Sequence, residues 1–119
     1  MLLSKPDSDF NEVYFYHATG RVLTGRCYIK SLGDKATLYG VYVEESYRGL
    51  GEGQRMIQEV IGETLRTTEL QKLELSVGAN NRIAQHIYFK HGFRFDHPNL
   101  GGASLLWMTL NLEDLRQIQ

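Results

Sequence analysis

The sequence predicts a single α/β domain: a mixed, mostly antiparallel sheet with two main helices. Three observations carry that expectation. Aromatic and β-branched runs alternate with glycine-containing turns over the first 45 residues, as hairpins do. A strand, an amphipathic helix and a second strand then follow one another between Ala36 and Val77, the order of a parallel crossover unit. Finally, 119 residues suffice for one hydrophobic core and are too few for two.

In chain order, residues 1–11 are polar, with Pro6 and two aspartates, and read as a tail or lead-in ahead of a domain spanning 12–119. Glu12 to Ala18 is a strand, Thr19-Gly20 a turn, and Arg21 to Lys30 the returning strand. Gly33-Asp34 turns the chain into a third strand, Ala36 to Glu45. It is apolar on both faces, with Leu38 and Tyr42 on one and Tyr39, Val41 and Val43 on the other, as a buried central strand should be. Gly40 interrupts it and marks either a bulge or a glycine that packing requires.

Ile57, Val60, Ile61 and Leu65 recur at helical spacing, with Gln58, Glu59, Glu63 and Arg66 facing away, so a helix runs to about Thr67. Leu73, Leu75 and Val77 alternate with Glu74 and Ser76 as the next strand. Asn80 and Asn81 can cap a second helix that buries Ile83, Ala84, Ile87 and Tyr88 and stops at Gly92. Phe93 to Asp96 begins a strand, Pro98 to Gly102 turns the chain, and Ser104 to Leu112 is the last strand. There Leu105, Leu106 and Trp107 are assigned to the core first and to a subunit interface second.

Net charge is −1, from 13 Lys and Arg against 14 Asp and Glu. No global basic field exists to draw nucleic acid or an anionic membrane, and neither is expected as a partner. The one cysteine, Cys27, excludes an intramolecular disulfide and reads as a buried strand residue in a protein of a reducing compartment. Residues 1–7 lack the basic start and long apolar run of a secretory signal, and no segment approaches membrane-spanning length, so a cytoplasmic protein is expected. His86 and His91 are five apart, His17 lies in a hairpin strand, and no C-x-x-C exists, so no metal site is expected.

The chemistry concentrates in Val41 to Gly53, V-Y-V-E-E-S-Y-R-G-L-G-E-G, where a strand runs through a glycine-rich turn into a helix. Amides of a first helical turn have no intrahelical partner, and the helix dipole adds positive charge there, so an anion can take those bonds. Gly49, Gly51 and Gly53 keep side chains out of its way. A Rossmann fingerprint would need glycine at Gln54, and a Walker loop would need Lys followed by Ser or Thr at Gln54 and Arg55. Neither fits.

The spacing that does fit, R-x-x-G-x-G from Arg48 through Gly51 to Gly53, resembles the pyrophosphate loop of the GNAT superfamily, the acyl-CoA-dependent N-acyltransferases. A second segment is similar to the family's later motif: Asn81, then Ala84, then Tyr88, closing in Gly92-Phe93. Together they cover roughly Glu12 to Leu112. The resemblance implies a GNAT fold, whose central parallel strand pair is splayed around the acyl-CoA cleft by a bulge near the position of Gly40. It implies acetyl-CoA as cosubstrate, without a metal. The pyrophosphate would lie on Arg48, Gly49, Leu50, Gly51, Glu52 and Gly53, the pantetheine arm along Val41, Tyr42 and Val43, with Arg82 or Lys90 as a further cation. Asn81 either caps its helix alone or also bonds the pantetheine.

Acyl transfer also needs proton traffic. The resemblance makes Tyr88 the general acid for the departing thiolate, although Ala84 and Tyr88 at helical spacing also describe a core aromatic. No carboxylate stands in Ala36 to Tyr42 to act as base, which leaves Glu44 at the strand end and Tyr39 on the strand as candidates, each equally readable as a surface charge or a packing aromatic. GNAT domains usually open with a strand and helices that cover the acceptor. About 11 residues are too few for that, so an open acceptor side is expected, suited to a protein lysine or N-terminus. A second copy of the chain could supply the cover. The alternatives are a small-molecule or polyamine acetyltransferase and a non-catalytic CoA-binding interaction module.

Overall fold

A computed structural model describes residues 2–6, 11–96 and 104–118, with side chains from residue 15 onward. Strands β1 (Leu2–Pro6), β2 (Asn11–Thr19), β3 (Val22–Leu32) and β4 (Lys35–Val43) form an antiparallel meander. Its two described turns sit on Gly20 and Gly33, at φ +63° and +66°, a region L-residues rarely enter. Helix α1 (Glu52–Thr67) crosses to β5 (Lys72–Gly78), which pairs in parallel with β4. Helix α2 (Arg82–Lys90) follows, then β6 (Arg94–Phe95), β7 (Leu105–Asn111) and α3 (Leu112–Ile118). The sheet order is β1-β2-β3-β4-β5-β7-β6, with β4–β5 its parallel pair.

The core lies on one side of this sheet. Register puts Phe15 beside Cys27, Ile29 beside Leu38, Ala36 beside Leu73, Leu73 beside Leu110, and Leu75 beside Met108, and directly opposed residues share a face. All of these are buried, together with Met56, Ile57, Val60 and Ile61 of α1 and Tyr88 of α2. Two layers result, helices on sheet. The opposite face carries Arg26, Tyr28, Lys30, Thr37, Tyr39, Glu74, Ser76 and Trp107, each half-buried or exposed.

Several expectations change here. The lead-in contains a strand, since Leu2–Pro6 extends the sheet along β2. The third strand ends at Val43; Glu44 caps a single 3₁₀ turn, Glu45–Tyr47. It is central but not buried on both faces, because Tyr39 and Val41 are exposed where β4 and β5 part. Trp107 is 43% exposed and Leu105 more so, since both fall on the uncovered face. Ile83 is 79% exposed: α2 turns Ile87 and Tyr88 inward instead. The last strand stops before Leu112, which begins the unexpected α3; Arg116 ties that helix to the carbonyls of Thr68 and Leu70. The turn expected at Pro98–Gly102 lies outside the described residues.

Candidate active site

The parallel pair holds over three residues, Lys35–Thr37 against Lys72–Glu74, and then opens. A bulge on β4 accompanies the opening. Tyr28 opposes Tyr39 and Arg26 opposes Tyr42, so β4 spends three steps where β3 spends two. Gly40 absorbs the extra residue at φ +58°, and a Cβ there would stand 2.9 Å from the Tyr28 ring. The bulge reading of Gly40 is therefore the one the fold adopts.

Two adjoining cavities occupy the opening. One, about 310 Å³, is lined by Tyr39, Gly40, Val41, Ser76, Gly78 and Tyr88 among others. The second, about 290 Å³, lies between Val41, Val43, Arg48, Gly53, Asn81 and Tyr88. Val41, Asn81, Ala84 and Tyr88 line both, so the two form one cleft from the strand gap to the glycine loop.

Gly49 and Gly51 have φ +77° and +82°, and Gly51 is the N-cap of α1. The first intrahelical donor is Arg55 N–H, bonded to Gly51 O at 3.1 Å, so the amides of Glu52, Gly53 and Gln54 precede the helical ladder. A Cβ added at Gly49 would meet nothing within 4 Å, and one at Gly53 would first meet Val43 at 3.8 Å. Open space faces unladdered amides, with a cation beside it. Those features fit a pyrophosphate. Arg48 lies at this edge, its Nε donating to Val43 O at 2.9 Å and its guanidinium 5.3 Å from the Tyr42 ring centre.

Leu50 is exposed in the loop, and its carbonyl accepts from Arg55 at 2.8 Å. Glu52 behaves differently from the rest of the loop. Its carboxylate turns inward, 4% exposed, and accepts from Thr19 at 2.8 Å, Thr24 at 3.2 Å and Arg55 at 2.5 Å, with His17 Nε2 at 2.7 Å. Arg55 first, then Thr19, hold this carboxyl at about 2, well below the usual carboxylate range. The side chain anchors α1 to the β2–β3 hairpin, away from the cleft, whose lining does not include Glu52.

Tyr88 is 8% exposed and packs edge-to-face on Phe93 at 5.8 Å. Burial raises its phenol above the usual value, so it stays protonated at neutral pH. The hydroxyl has no hydrogen-bond partner among the described residues, yet no buried side-chain oxygen is left unpartnered, so the hydroxyl is the part that reaches the cleft. Asn81 caps α2, its Oδ1 accepting from Ala84 N–H at 3.1 Å; the cap leaves its amide NH₂ as a donor on the cleft wall. Tyr39 lines the cleft, 39% exposed, stacked on Tyr28 at 5.3 Å. Glu44 is exposed and lines neither cavity. Lys90 is exposed in the last turn of α2, off the cleft-lining set of that helix, and Tyr42 projects to the uncovered face. Burial lifts Cys27 to about 12, which makes it an inert thiol.

Sequence reasoning missed Ser76, which the strand register brings to the cleft, Arg26 and Tyr28, which it brings to an adjoining cavity on the uncovered face, and the His17–Glu52 contact, which joins residues 35 apart. The Arg55–Glu52 pair was readable as an i, i+3 ion pair. Among the described residues no cluster of His, Cys, Asp and Glu could hold a metal.

Residues 3–93 match the family described as Acetyltransferase (GNAT) family. A 5-NmdU N-acetyltransferase of Pseudomonas phage PaMx11 is 31% identical over 71 residues, 60% of this chain and 48% of that protein. The match thus spans about half the length of that curated relative. Among solved structures, the ribosomal-protein-S18-alanine N-acetyltransferase of Escherichia coli superposes with a TM-score of 0.72 at 20% identity, over 90% of this chain and 72% of the other. The PaiA N-acetyltransferase of Thermoplasma acidophilum, in complex with coenzyme A, gives 0.70 at 19% identity, over 84% and 60%. At such identities the structural likeness concerns the fold.

Proposed function

The chain belongs to the GNAT acetyltransferase family, and from that premise we propose that it transfers an acetyl group from acetyl-CoA to a primary amine by direct attack on the thioester. The observation that carries the reading is the continuity of the cleft. Arg48 and Gly53 of the glycine loop at one end and Tyr39 and Ser76 of the strand gap at the other share one cavity wall through Val41, Asn81, Ala84 and Tyr88. In the transfer, the neutral amine forms the N–C bond, the C–S bond breaks, and the thiolate takes a proton from Tyr88. Backbone donors of the unpaired β4 edge, Val41 to Val43, polarise the carbonyl. Arg48, Gly49, Gly51 and Gly53 hold the pyrophosphate, and Asn81 donates to the pantetheine arm.

The attacking amine gives its proton to water in the open cleft. Tyr39 stands nearer that position than Glu44, since Tyr39 lines the cleft and Glu44 does not. Among the described residues Tyr39 and Val41 are exposed where the strands part, which favours an amine carried on a larger molecule, a protein lysine or N-terminus being one such class. A polyamine is disfavoured, because an enclosed pocket with carboxylates for its ammonium groups is missing among the residues that line the cleft. Calorimetric titration with acetyl-CoA and CoA tests the premise. Micromolar binding of both supports it. Absence of binding to either would leave a GNAT fold that works through protein contacts.

A further inference from the structure

The face of the sheet that no described helix covers differs in charge from the chain as a whole. By strand register it displays Arg26, Lys30, Lys35 and Lys72, while Arg94 at its edge turns its guanidinium to the carbonyls of Phe89 and Phe93. Among the described side chains of its strands the carboxylate is Glu74, engaged by Lys35 at 3.7 Å and by Thr37 at 3.2 Å. A chain of net charge −1 thereby folds into a basic sheet face: among the described side chains most acids lie on the helices and in the turn after β4, and Asp96, just past β6, accepts from Thr109 of this face.

The same face is aromatic. Tyr28 and Tyr39 stack, Arg26 lies 4.7 Å from the Tyr42 ring centre, and Trp107 is 43% exposed beside Ser76 of β5. A cavity of about 610 Å³ between Tyr16, Arg26, Tyr28 and Tyr42 reaches Gly40 and Val41, and Val41 also walls the acetyl-transfer cleft. Whatever occupies the basic, aromatic face is therefore led by the bulge to the reacting carbonyl.

Resting on the acetyl-transfer reading, we propose that the acceptor is a nucleotide bearing an aliphatic amine, its base stacked on this face and its phosphate on Arg26. Flat π-surfaces on a sheet flanked by guanidinium and ammonium groups match the two features every nucleotide brings, a stacking base and an anionic phosphate. A polyamine brings positive charge to a positive face, and an unmodified peptide amine brings no phosphate for Arg26. The amine is an aliphatic substituent because the exocyclic amino groups of bases are conjugated and weakly nucleophilic. The amine nitrogen gains the acetyl carbon and loses a proton, and the CoA thiolate leaves and is protonated. The nucleotide is either free or within a single strand, where its base is already unpaired.

Trp107 is the single tryptophan and supplies the readout. Its fluorescence is followed while an oligothymidylate of about ten nucleotides, thymidine monophosphate, spermidine or an alanine-initiated peptide is titrated, with acetyl-CoA binding measured separately by calorimetry. The expected result is quenching by the oligonucleotide that weakens steeply with salt and falls at least about tenfold in Arg26→Glu, which keeps its acetyl-CoA affinity. Matching affinity for the monophosphate identifies a free nucleotide, and much tighter oligonucleotide binding a single strand. Quenching by peptide or spermidine alone, or oligonucleotide binding indifferent to salt and to Arg26→Glu, overturns the proposal even where acetyl-CoA binds. Failure of acetyl-CoA to bind overturns the acetyl-transfer reading instead.

Discussion

Tyr39 and Tyr42, three residues apart in one strand, point to the same face of the sheet. Regular alternation would put them on opposite faces. The extra residue at Gly40–Val41 resets the count, so Tyr42 opposes Arg26 and joins the Tyr28–Tyr39 stack on the uncovered side, while Val43 turns to the helices opposite Gly25. One backbone irregularity thus accompanies the opening of the parallel pair and decides which side chains face the uncovered side and which face the helices.

Gly40→Ala tests that device. Alanine would have to hold φ +58°, a left-handed conformation costing about 1–2 kcal/mol, with its methyl 2.9 Å from Tyr28. The variant is expected to unfold at lower urea concentration than wild type and to lose acetyl transfer more than this stability loss explains. An unchanged midpoint would show that the bulge tolerates a side chain.

Gly53 separates ligand binding from folding better than its neighbours do. Gly51 is committed to a left-handed φ and has Arg55 beside it, so any substitution there strains the backbone. Gly53 sits in α1 with room for a Cβ beyond Val43. Gly53→Asp is therefore expected to fold normally while placing a carboxylate against the anion seat and lowering acetyl-CoA affinity by more than about tenfold. Calorimetry and a melting curve on the same sample check both halves, and full affinity in a folded variant would remove the loop from pyrophosphate binding.

The balance between what the sequence discloses and what it withholds follows from the range of the interactions. Helix α1, β5, the Asn81 cap and the glycine loop rest on contacts within four residues, and each is legible as periodicity or spacing. The uncovered face is not. Trp107 and Leu105 look like core residues until β7 is paired with β5, which puts them opposite Ser76 and Gly78 on the side without helices. Swapping Tyr42 and Val43 between faces required knowing that Gly40 is a bulge rather than a packing glycine. Glu52 reads as a loop carboxylate beside a phosphate site. Only the meander, which carries His17, Thr19 and Thr24 beneath α1, reveals its inward turn.

That inward turn has a pH signature. The Glu52 carboxyl is held at about 2 when folded, against about 4.5 for its unperturbed value, so its depressed pKa contributes stability that is present above 4.5. The contribution is lost as pH falls from 4.5 toward 2, where the unfolded chain binds a proton that the folded one refuses. Glu52→Gln keeps the shape and removes the charge. Its melting temperature is expected to lie below wild type at pH 7 and to fall less steeply between pH 4.5 and 2; parallel curves for the two proteins would show that Glu52 does not titrate differently on folding.

Tyr88 carries the most direct kinetic expectation. Its ring is held by Phe93 and the core while its hydroxyl reaches the cleft, so Tyr88→Phe deletes a proton donor without opening a cavity. Loss of a general acid lowers turnover by roughly a hundredfold or more. Affinity for acetyl-CoA and the melting temperature are expected to stay near wild type, because neither depends on the phenol's proton. Burial raises the phenol's pKa, so the wild-type rate should show no loss from its ionisation at neutral pH, and any alkaline limb should lie above the usual tyrosine range. That limb should vanish in the variant. A variant that turns over at the wild-type rate would return Tyr88 to the core and leave protonation of the thiolate to water. A variant that loses acetyl-CoA binding instead of turnover would make the hydroxyl a ligand contact rather than an acid.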